Sequence, residues 1–355
     1  MKKPLKILYQ IPSLETVYAA KFIYEGYKDA FSDLGYKFRP LTSNDDPGEV
    51  LKDYNPDILI SGFDGYHLKF LDLEEVKKYR QKGLVFFNQI SAWKKANNQY
   101  GSGDLESNKK MVSLIKKGLA GDIFFSWIEQ QDPLMDGFTK TTGYKYQTIL
   151  MAANKKVYFY DYDDKYKADI SFVGNNLPDK KEFFRKHLIP LFKKYKVRIY
   201  GNDWTLVDKS LGYAQKMGQY FNIDPLKSVR KVALNEEGGR KVYSSSAISL
   251  NIHEEHQRKL GCDFNERTFK IMASGGFEIC DNVSVLRKYF TEKELVIGEN
   301  TKDWFEKIDY YIKNPEKREP IIKAGKKKVL EKHTYHNRAL QFIDLYEKFN
   351  KGKIK

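Results

Sequence analysis

Short apolar runs alternate along the chain with longer segments whose apolar residues recur every three or four positions. Residues 6–10 (KILYQ), 57–61 (DILIS), 84–89 (LVFFNQ) and 122–127 (DIFFSW) read as buried strands, because each is a brief, nearly continuous apolar run between polar boundaries. Residues 17–34 between them have helical spacing and stop at Gly35, a residue suited to a helix C-cap. Charged helices follow at 74–81 and 107–119. Strands alternating with helices predict a parallel sheet covered on both faces. After a polar, aromatic stretch over 152–167 the alternation restarts. Strands are predicted at 169–174 (DISFVG), 197–200 (VRIY), 247–251 (AISLN), 276–280 (GFEIC) and 295–297 (LVI), with a helix over 180–195. Two further helical segments, broken near 333–335, end the chain. The segment 205–240 is of mixed polarity and receives no assignment.

The pattern therefore predicts an α/β protein of two doubly wound units in tandem, residues 1–155 and 156–334, with a closing helix over 335–355 crossing back to the first. Ligands of open α/β sheets sit outside the carboxyl ends of the strands, so the site is expected in the cleft where two such units face one another. A chain of 355 residues has room for both cores. Composition adds one thing the pattern does not: 62 Lys and Arg against 47 Asp and Glu give a net charge of +15, which favours an anionic partner. Cys262 and Cys280 are too few for a disulfide framework, no run approaches the length of a membrane span, and the apolar stretch after the basic start is too short for a signal peptide. A cytoplasmic protein is expected, with peripheral membrane contact left open.

The densest group of chemically capable residues is 251–276, NIHEEHQRKLGCDFNERTFKIMASGG. A strand ends at Asn251, a polar loop carries His253 and His256, and Asn265 is placed to cap a helix opened by Glu266, Arg267 and Thr268. A helix start aims free amides at the strand end and suits an anionic group; Arg267 adds a fork for phosphate, and Glu266 an acceptor for sugar hydroxyls. Either charged residue alone reads equally well as a solvated side chain, and only their clustering at one strand end argues for more. His253, Glu254, Glu255 and His256 do not have HExxH spacing, so no metal is expected there. Gly174-Asn175 and Gly201-Asn202 are glycine turns at strand ends that allow close backbone approach to a ligand; ordinary tight turns explain them as readily. Asp64, His67 and Glu129 follow strands of the first unit at the ends where a general base would sit.

Several ordered motifs resemble one family. SFVGN at 171–175, IYGNDW at 199–204, SLNIH at 249–253, NERTFKIMASGGF at 265–277 and the tail 314–338 are similar to the catalytic domain of CgeB-like (spore maturation protein type) glycosyltransferases, members of the GT-B class. The resemblance implies two Rossmann-like domains facing across a cleft and a nucleotide-sugar donor held by the second. It implies a diphosphate near Gly174 and Asn175, with Asn265, Glu266, Arg267 and Thr268 lining the donor site; Gly201 and Asn251, at neighbouring strand ends, are added as candidate donor contacts. It also implies hexosyl or related transfer to an acceptor entering from the first domain, with no cofactor or metal because basic groups and helix amides stabilise the leaving diphosphate. Arg267, assisted by His253, is expected in that role, and an inverting reaction would take its base from Asp64, His67 or Glu129. The family commonly has Glu where this chain has Lys270, which is then left to pair with a phosphate or to face solvent.

The acceptor is unspecified: a glycan, protein, lipid or other polymer, of acidic character if it accounts for the surplus positive charge. Two other readings stay open, a non-catalytic two-domain ligand-binding protein and a DNA-modifying glycosyltransferase. Plain nucleic-acid binding is disfavoured because the lysines are scattered over most helices, and the densest cluster, 326–328, lies on a helix with a solvated face.

Overall fold

The structure, a computed structural model, describes residues 3–16, 19–94 and 104–354. Its described strands form two all-parallel sheets. The first contains β1 (Lys6–Gln10), β2 (Lys37–Leu41), β3 (Ile58–Gly62), β4 (Val85–Gln89), β5 (Ile123–Ser126) and β6 (Tyr146–Thr148), in the order β2-β1-β3-β4-β5-β6. The second contains β7 (Ala168–Val173), β8 (Val197–Tyr200), β9 (Ser246–Asn251), β10 (Glu278–Asp281) and β11 (Val296–Gly298), in the order β11-β10-β9-β7-β8. One compact unit comprises Met1–Leu150, Ala214–Val229 and His336–Lys355; the other comprises Met151–Tyr213 and Arg230–Tyr335.

Each sheet is sealed by apolar residues because both its faces are covered by helices. In the first unit Leu8, Leu59 and Phe86 lie under Val50, Leu51 and Val76 of neighbouring helices. Phe342, from the closing helix Tyr335–Asn350, meets Phe87 and Phe125 edge-on with ring centroids 5.1 Å apart. In the second unit Phe172, Ile248, Leu250, Phe277 and Ile279 pack with Leu188 and Trp304. No described helix is long and apolar enough to cross a membrane.

The predicted strands are present within a residue or two of their expected ends, and two that the pattern does not reveal are added. β2 (KFRPL) carries Pro40, which has no N–H for a ladder, and it lies at a sheet edge where that is tolerated; β6 is only three residues long. The helix predicted to begin at residue 17 runs over Ala19–Asp33, its expected start lying outside the described residues. The single helix expected over 180–195 is not regular. The chain passes from a short α turn, Lys181–Phe183, through a π turn, Phe184–Leu188, into a 3₁₀ segment, Ile189–Lys193, because Pro190 lacks the N–H that an α-helix interior requires. The unassigned stretch holds helices Leu206–Phe221 and Asp224–Lys227. Residues 214–229 belong to the first unit, where the Asn222 amide donates to the Ser43 carbonyl at 3.2 Å and Lys227 to Asn44 at 2.9 Å.

In both sheets the strand order reverses beside the first strand. β7 has β8 on one side and β9 on the other, and β1 has β2 on one side and β3 on the other. Such a switch opens a crevice at the strand carboxyl ends, the usual ligand position in these folds.

Candidate functional site

In the second unit the crevice lies between the ends of β7 and β9, and the sequence there is shaped by what close approach demands. Gly174 follows β7. A Cβ at this position would lie 2.8 Å from the Arg267 guanidinium and 2.8 Å from the Phe172 ring, so any side chain would displace one of them. Gly201 has φ +147°, and a Cβ there would lie 2.1 Å from the Gly174 carbonyl oxygen, which excludes every other residue. The Gly174 carbonyl is held by the Trp204 indole N–H at 3.0 Å, and the Asn175 side chain accepts the Asn202 backbone N–H at 3.0 Å. The two glycine turns singled out in the sequence thus support one another.

Across the crevice a buried network ties β9 and β10 to the helix Arg267–Ala273. The Asn251 amide donates to Glu278 at 2.8 Å and to Thr268 at 2.9 Å, and the Thr268 hydroxyl donates to the same Glu278 oxygen at 2.9 Å. The Asn251 oxygen accepts from Asn265 at 3.0 Å and from Arg267 at 2.7 Å. Asn251 and Thr268 are fully buried, so they orient Arg267 from behind. Asn265 caps from one residue further out than expected: the helix starts at Arg267, whose backbone N–H is taken by the Asn265 side chain at 3.0 Å. One of the amides expected to meet an anion is therefore already engaged.

Lys180 completes the arrangement, and its position in the charged run DKKEF conceals it. It is 4% exposed, and its ammonium donates to the Ile252 carbonyl at 3.1 Å. Arg267 reaches the same oxygen at 3.5 Å. Among the described residues neither cation has a carboxylate within 4.0 Å. Burial, reinforced by the Arg267 charge, pulls Lys180 down from its ordinary value to about 8. Two like charges sharing one carbonyl, one of them desolvated, form a site that an anion would relieve.

His253 is fully buried at the end of β9. Its Nδ1 contacts Asp281 Oδ1 at 2.5 Å, and both oxygens of that carboxylate accept its backbone N–H at 3.1 Å. Burial pushes the Asp281 carboxyl up, but the His253 charge and hydrogen bonds and the Arg258 charge outweigh it, leaving it below the ordinary value. An ionised Asp281 makes Nδ1 the donor and orients the ring; Nε2 is buried with no partner among the described residues.

Lys270 and Glu266 differ from expectation. Lys270 is 7% exposed, so it does not face solvent; it is ion-paired to Glu266 one helical turn away and lies 5.2 Å from the Tyr158 ring centroid. Asp179, Glu254 and His256 are the one described group whose ligand atoms are close enough, within 4.8 Å of one another, to hold a cation; Asp179 also accepts the Glu255 backbone N–H at 3.0 Å.

Glu278 is a further member that the sequence reading misses, although a carboxylate inside the apolar strand GFEIC is a visible signal. Burial raises its carboxyl from 4.5 to about 7, against the opposing hydrogen bonds of Asn251 and Thr268. The native state keeps this proton to about pH 7, whereas the unfolded chain releases it near 4.5. Stability from this group is full below 4.5 and is lost as pH rises through 7, by about 3 kcal/mol. Glu278→Gln should flatten the decline of denaturant-measured stability between pH 5 and 7.5; an unchanged slope would show that Glu278 is not its source.

The first unit's crevice holds two of the other predicted residues, Asp64 and His67. Asp64 caps the helix Gly65–Lys69, accepting the Tyr66 and His67 backbone N–H groups at 2.8 and 3.0 Å, and its second oxygen contacts His67 Nδ1 at 2.7 Å. Burial raises the Asp64 carboxyl, yet the His67 and Tyr66 interactions leave it below its ordinary value. The Gln10 amide at the end of β1 donates to the His67 carbonyl at 2.9 Å. Glu129 follows β5, two strands from β3, where its backbone carbonyl accepts the Tyr146 hydroxyl at 2.5 Å; it does not join the Asp64–His67 pair.

Comparison with known proteins bears on this geometry. Residues 180–344 match the family described as Glycosyl transferase-like, a span that contains Lys180, His253, Arg267 and Glu278. No curated protein matches the chain by sequence. Among solved structures, a glycosyltransferase from Rickettsia africae ESF-5 is similar with a TM-score of 0.63 at 13% identity, over 97% of this chain and 98% of that one. The sucrose-phosphate synthase of Thermosynechococcus elongatus is similar with a TM-score of 0.61 at 12% identity, over 98% and 100%. An alpha-glucosyltransferase in complex with UDP-glucose and DNA containing an abasic site gives 0.61 at 11%, over 98% and 100%. The fold is that of the GT-B glycosyltransferases. In the GT-B fold seen here, the glycine turns, the two cations and the oriented histidine all belong to the second Rossmann-like unit.

Proposed function

We propose that this protein is a CgeB-like glycosyltransferase that works in the cytoplasm and moves a hexosyl or related sugar from a nucleoside diphosphate sugar to an acceptor. The observation that carries the reading is the pair Lys180 and Arg267, which share the Ile252 carbonyl at the sheet's switch point with no carboxylate within 4.0 Å of either among the described residues. Cleavage of the bond between the anomeric carbon and the diphosphate oxygen places negative charge on the leaving group. Preorganised cations aimed at developing charge provide most of the rate enhancement in many reactions of this kind. Gly174 and Gly201 keep the backbone open to the diphosphate, Asn251 and Thr268 fix the Arg267 fork, and Asp281 fixes His253 with Nε2 free for a donor oxygen. The alpha-glucosyltransferase complex with UDP-glucose makes that compound the first donor to test. An inverting reaction would use the Asp64–His67 pair as its base. The acceptor is of acidic character, in keeping with the net charge of +15.

In this reading protein cations do the work of a bound metal. Sugar release or transfer from a panel of sugar nucleotides, followed by chromatography, should proceed equally with and without excess EDTA. Loss of turnover in EDTA, restored by a divalent cation, would overturn the metal-independent step. Binding of nucleotide with no turnover on any donor would leave a ligand-binding protein instead.

A further inference from the structure

A second basic concavity lies at the other end of the same sheet. The chain is open there over about 710 Å³ between the amino ends of β7, β9 and β10 and the helix Arg318–Lys332. Ala168, Ser246, Ala247 and Phe277 line it at the level of the strands. The candidate donor residues stand at the carboxyl ends, and the six residues of β7 alone separate the two ends by about 17 Å at roughly 3.3 Å per residue. The volume is that of a small-molecule site.

Its charge is one-sided. Lys167, Lys196, Arg318, Lys323 and Lys326 line it, against the carboxylates of Asp169 and Glu319. Asp169 is turned onto the backbone, accepting the Lys196 N–H at 2.8 Å, and Glu319 pairs with Lys323 at 3.3 Å. Lys167, Lys196, Arg318 and Lys326 have no carboxylate within 4.0 Å among the described residues. Arg318 spends one N–H on the Ala247 carbonyl at 2.6 Å. It is half-buried, and desolvation lowers it from its ordinary value although Glu316 opposes the shift. Scattered lysines are ordinary on a chain with this charge. A partly desolvated arginine beside unpaired lysines inside a concavity is not, because desolvation without an anion is unfavourable. The rim adds flat apolar surface: Tyr160 is 56% and Tyr162 44% exposed, and the Tyr160 ring lies over Gly275, 3.2 Å from where a Cβ would stand.

We infer that this concavity binds a small phosphomonoester with a planar ring, its phosphate held by Arg318, Lys326 and Lys167 and its ring laid against Tyr160. Arg318 offers the remaining N–H groups of its fork to phosphate oxygens, and the lysines add point charges. The site is separate from the donor crevice and does not depend on the proposed transfer reaction.

The test uses the full chain in low salt, titrated calorimetrically with phenyl phosphate, inorganic phosphate and phenol. Phenyl phosphate should bind at least about tenfold more tightly than inorganic phosphate, and phenol should not bind. The double variant Lys167→Ala/Lys326→Ala should weaken phenyl phosphate by about tenfold or more while leaving UDP binding unchanged. Arg267→Ala should leave phenyl phosphate binding unchanged. Arg318→Gln, which keeps a donor for the Ala247 carbonyl, provides a second disruption should the double variant fail to fold. The inference is overturned by any of three results: no binding of phenyl phosphate at about 10 mM, equal affinity in the lysine variant, or loss of binding with Arg267→Ala.

Discussion

Arg267→Ala is expected to lower turnover by about 10²–10³-fold, the usual cost of removing one preorganised donor from a developing oxyanion. The fold should survive. The Arg267 side chain donates to Asn251, which keeps its hydrogen bond from Asn265 at 3.0 Å and its own bonds to Thr268 and Glu278. Its loss should therefore cost no more than about 1.5–3 kcal/mol, the worth of a hydrogen bond to a charged group. Steady-state kinetics with a thermal melt separates the outcomes. A collapsed melting temperature would make the residue structural, and unchanged kcat would remove it from leaving-group stabilisation. The same change should raise the Lys180 pKa, because the neighbouring guanidinium helps to depress it.

Lys180 makes the second large prediction, and its sign follows from burial. The unliganded protein holds this ammonium at about 8, so above that pH a diphosphate must first restore the proton. Diphosphate itself is fully ionised there, its last pKa lying near 6. UDP affinity should fall by about tenfold between pH 7.5 and 9.5. Lys180→Met should weaken UDP by about tenfold or more at pH 7.5, abolish the alkaline decline and approach wild type near pH 9.5, since it removes the titrating charge. Stability should move the other way. The native lysine sheds its proton near 8 and the unfolded one near 10.5, so the wild-type chain gains stability as pH rises across that window and the methionine variant does not. At neutral pH, Lys180→Met should be no less stable than wild type, because a buried unpaired cation has been replaced by an apolar chain of similar length. A strongly destabilised variant would assign Lys180 to the fold rather than to a ligand.

Much of this fold is visible in the sequence for a simple reason. Strands of a parallel sheet are buried on both faces, so DILIS, LVFFN and DIFFS appear as brief, nearly continuous apolar runs. β2 is concealed because an edge strand is relieved of that constraint and can hold Lys37, Arg39 and Pro40. The irregular stretch after Lys180 is hidden by good helical spacing, and Pro190 is the one residue in it that signals a break. At the site, Asn251 and Arg267 stand out because polar residues gather at a strand end. Lys180 does not, since one lysine among several is identified only by which of them the tertiary structure desolvates. Asp281, which orients His253, is likewise separated from it by 28 residues and joined to it only by strand pairing. Lys270 reads as a solvent-facing or phosphate-pairing residue in the sequence because its partner, Glu266, has the chemistry of a ligand contact.

The central claim is that the β7–β9 crevice receives a nucleoside diphosphate, and titration calorimetry of the wild-type chain with UDP at pH 7 tests it most directly, alongside Lys180→Met and Arg267→Ala. Saturable one-to-one binding is predicted, weakened in both variants, with an accompanying stabilisation of about 2.7 kcal/mol at a hundredfold excess over Kd. Absence of binding by UDP and the other nucleoside diphosphates at millimolar concentration, or binding indifferent to both substitutions, would contradict it.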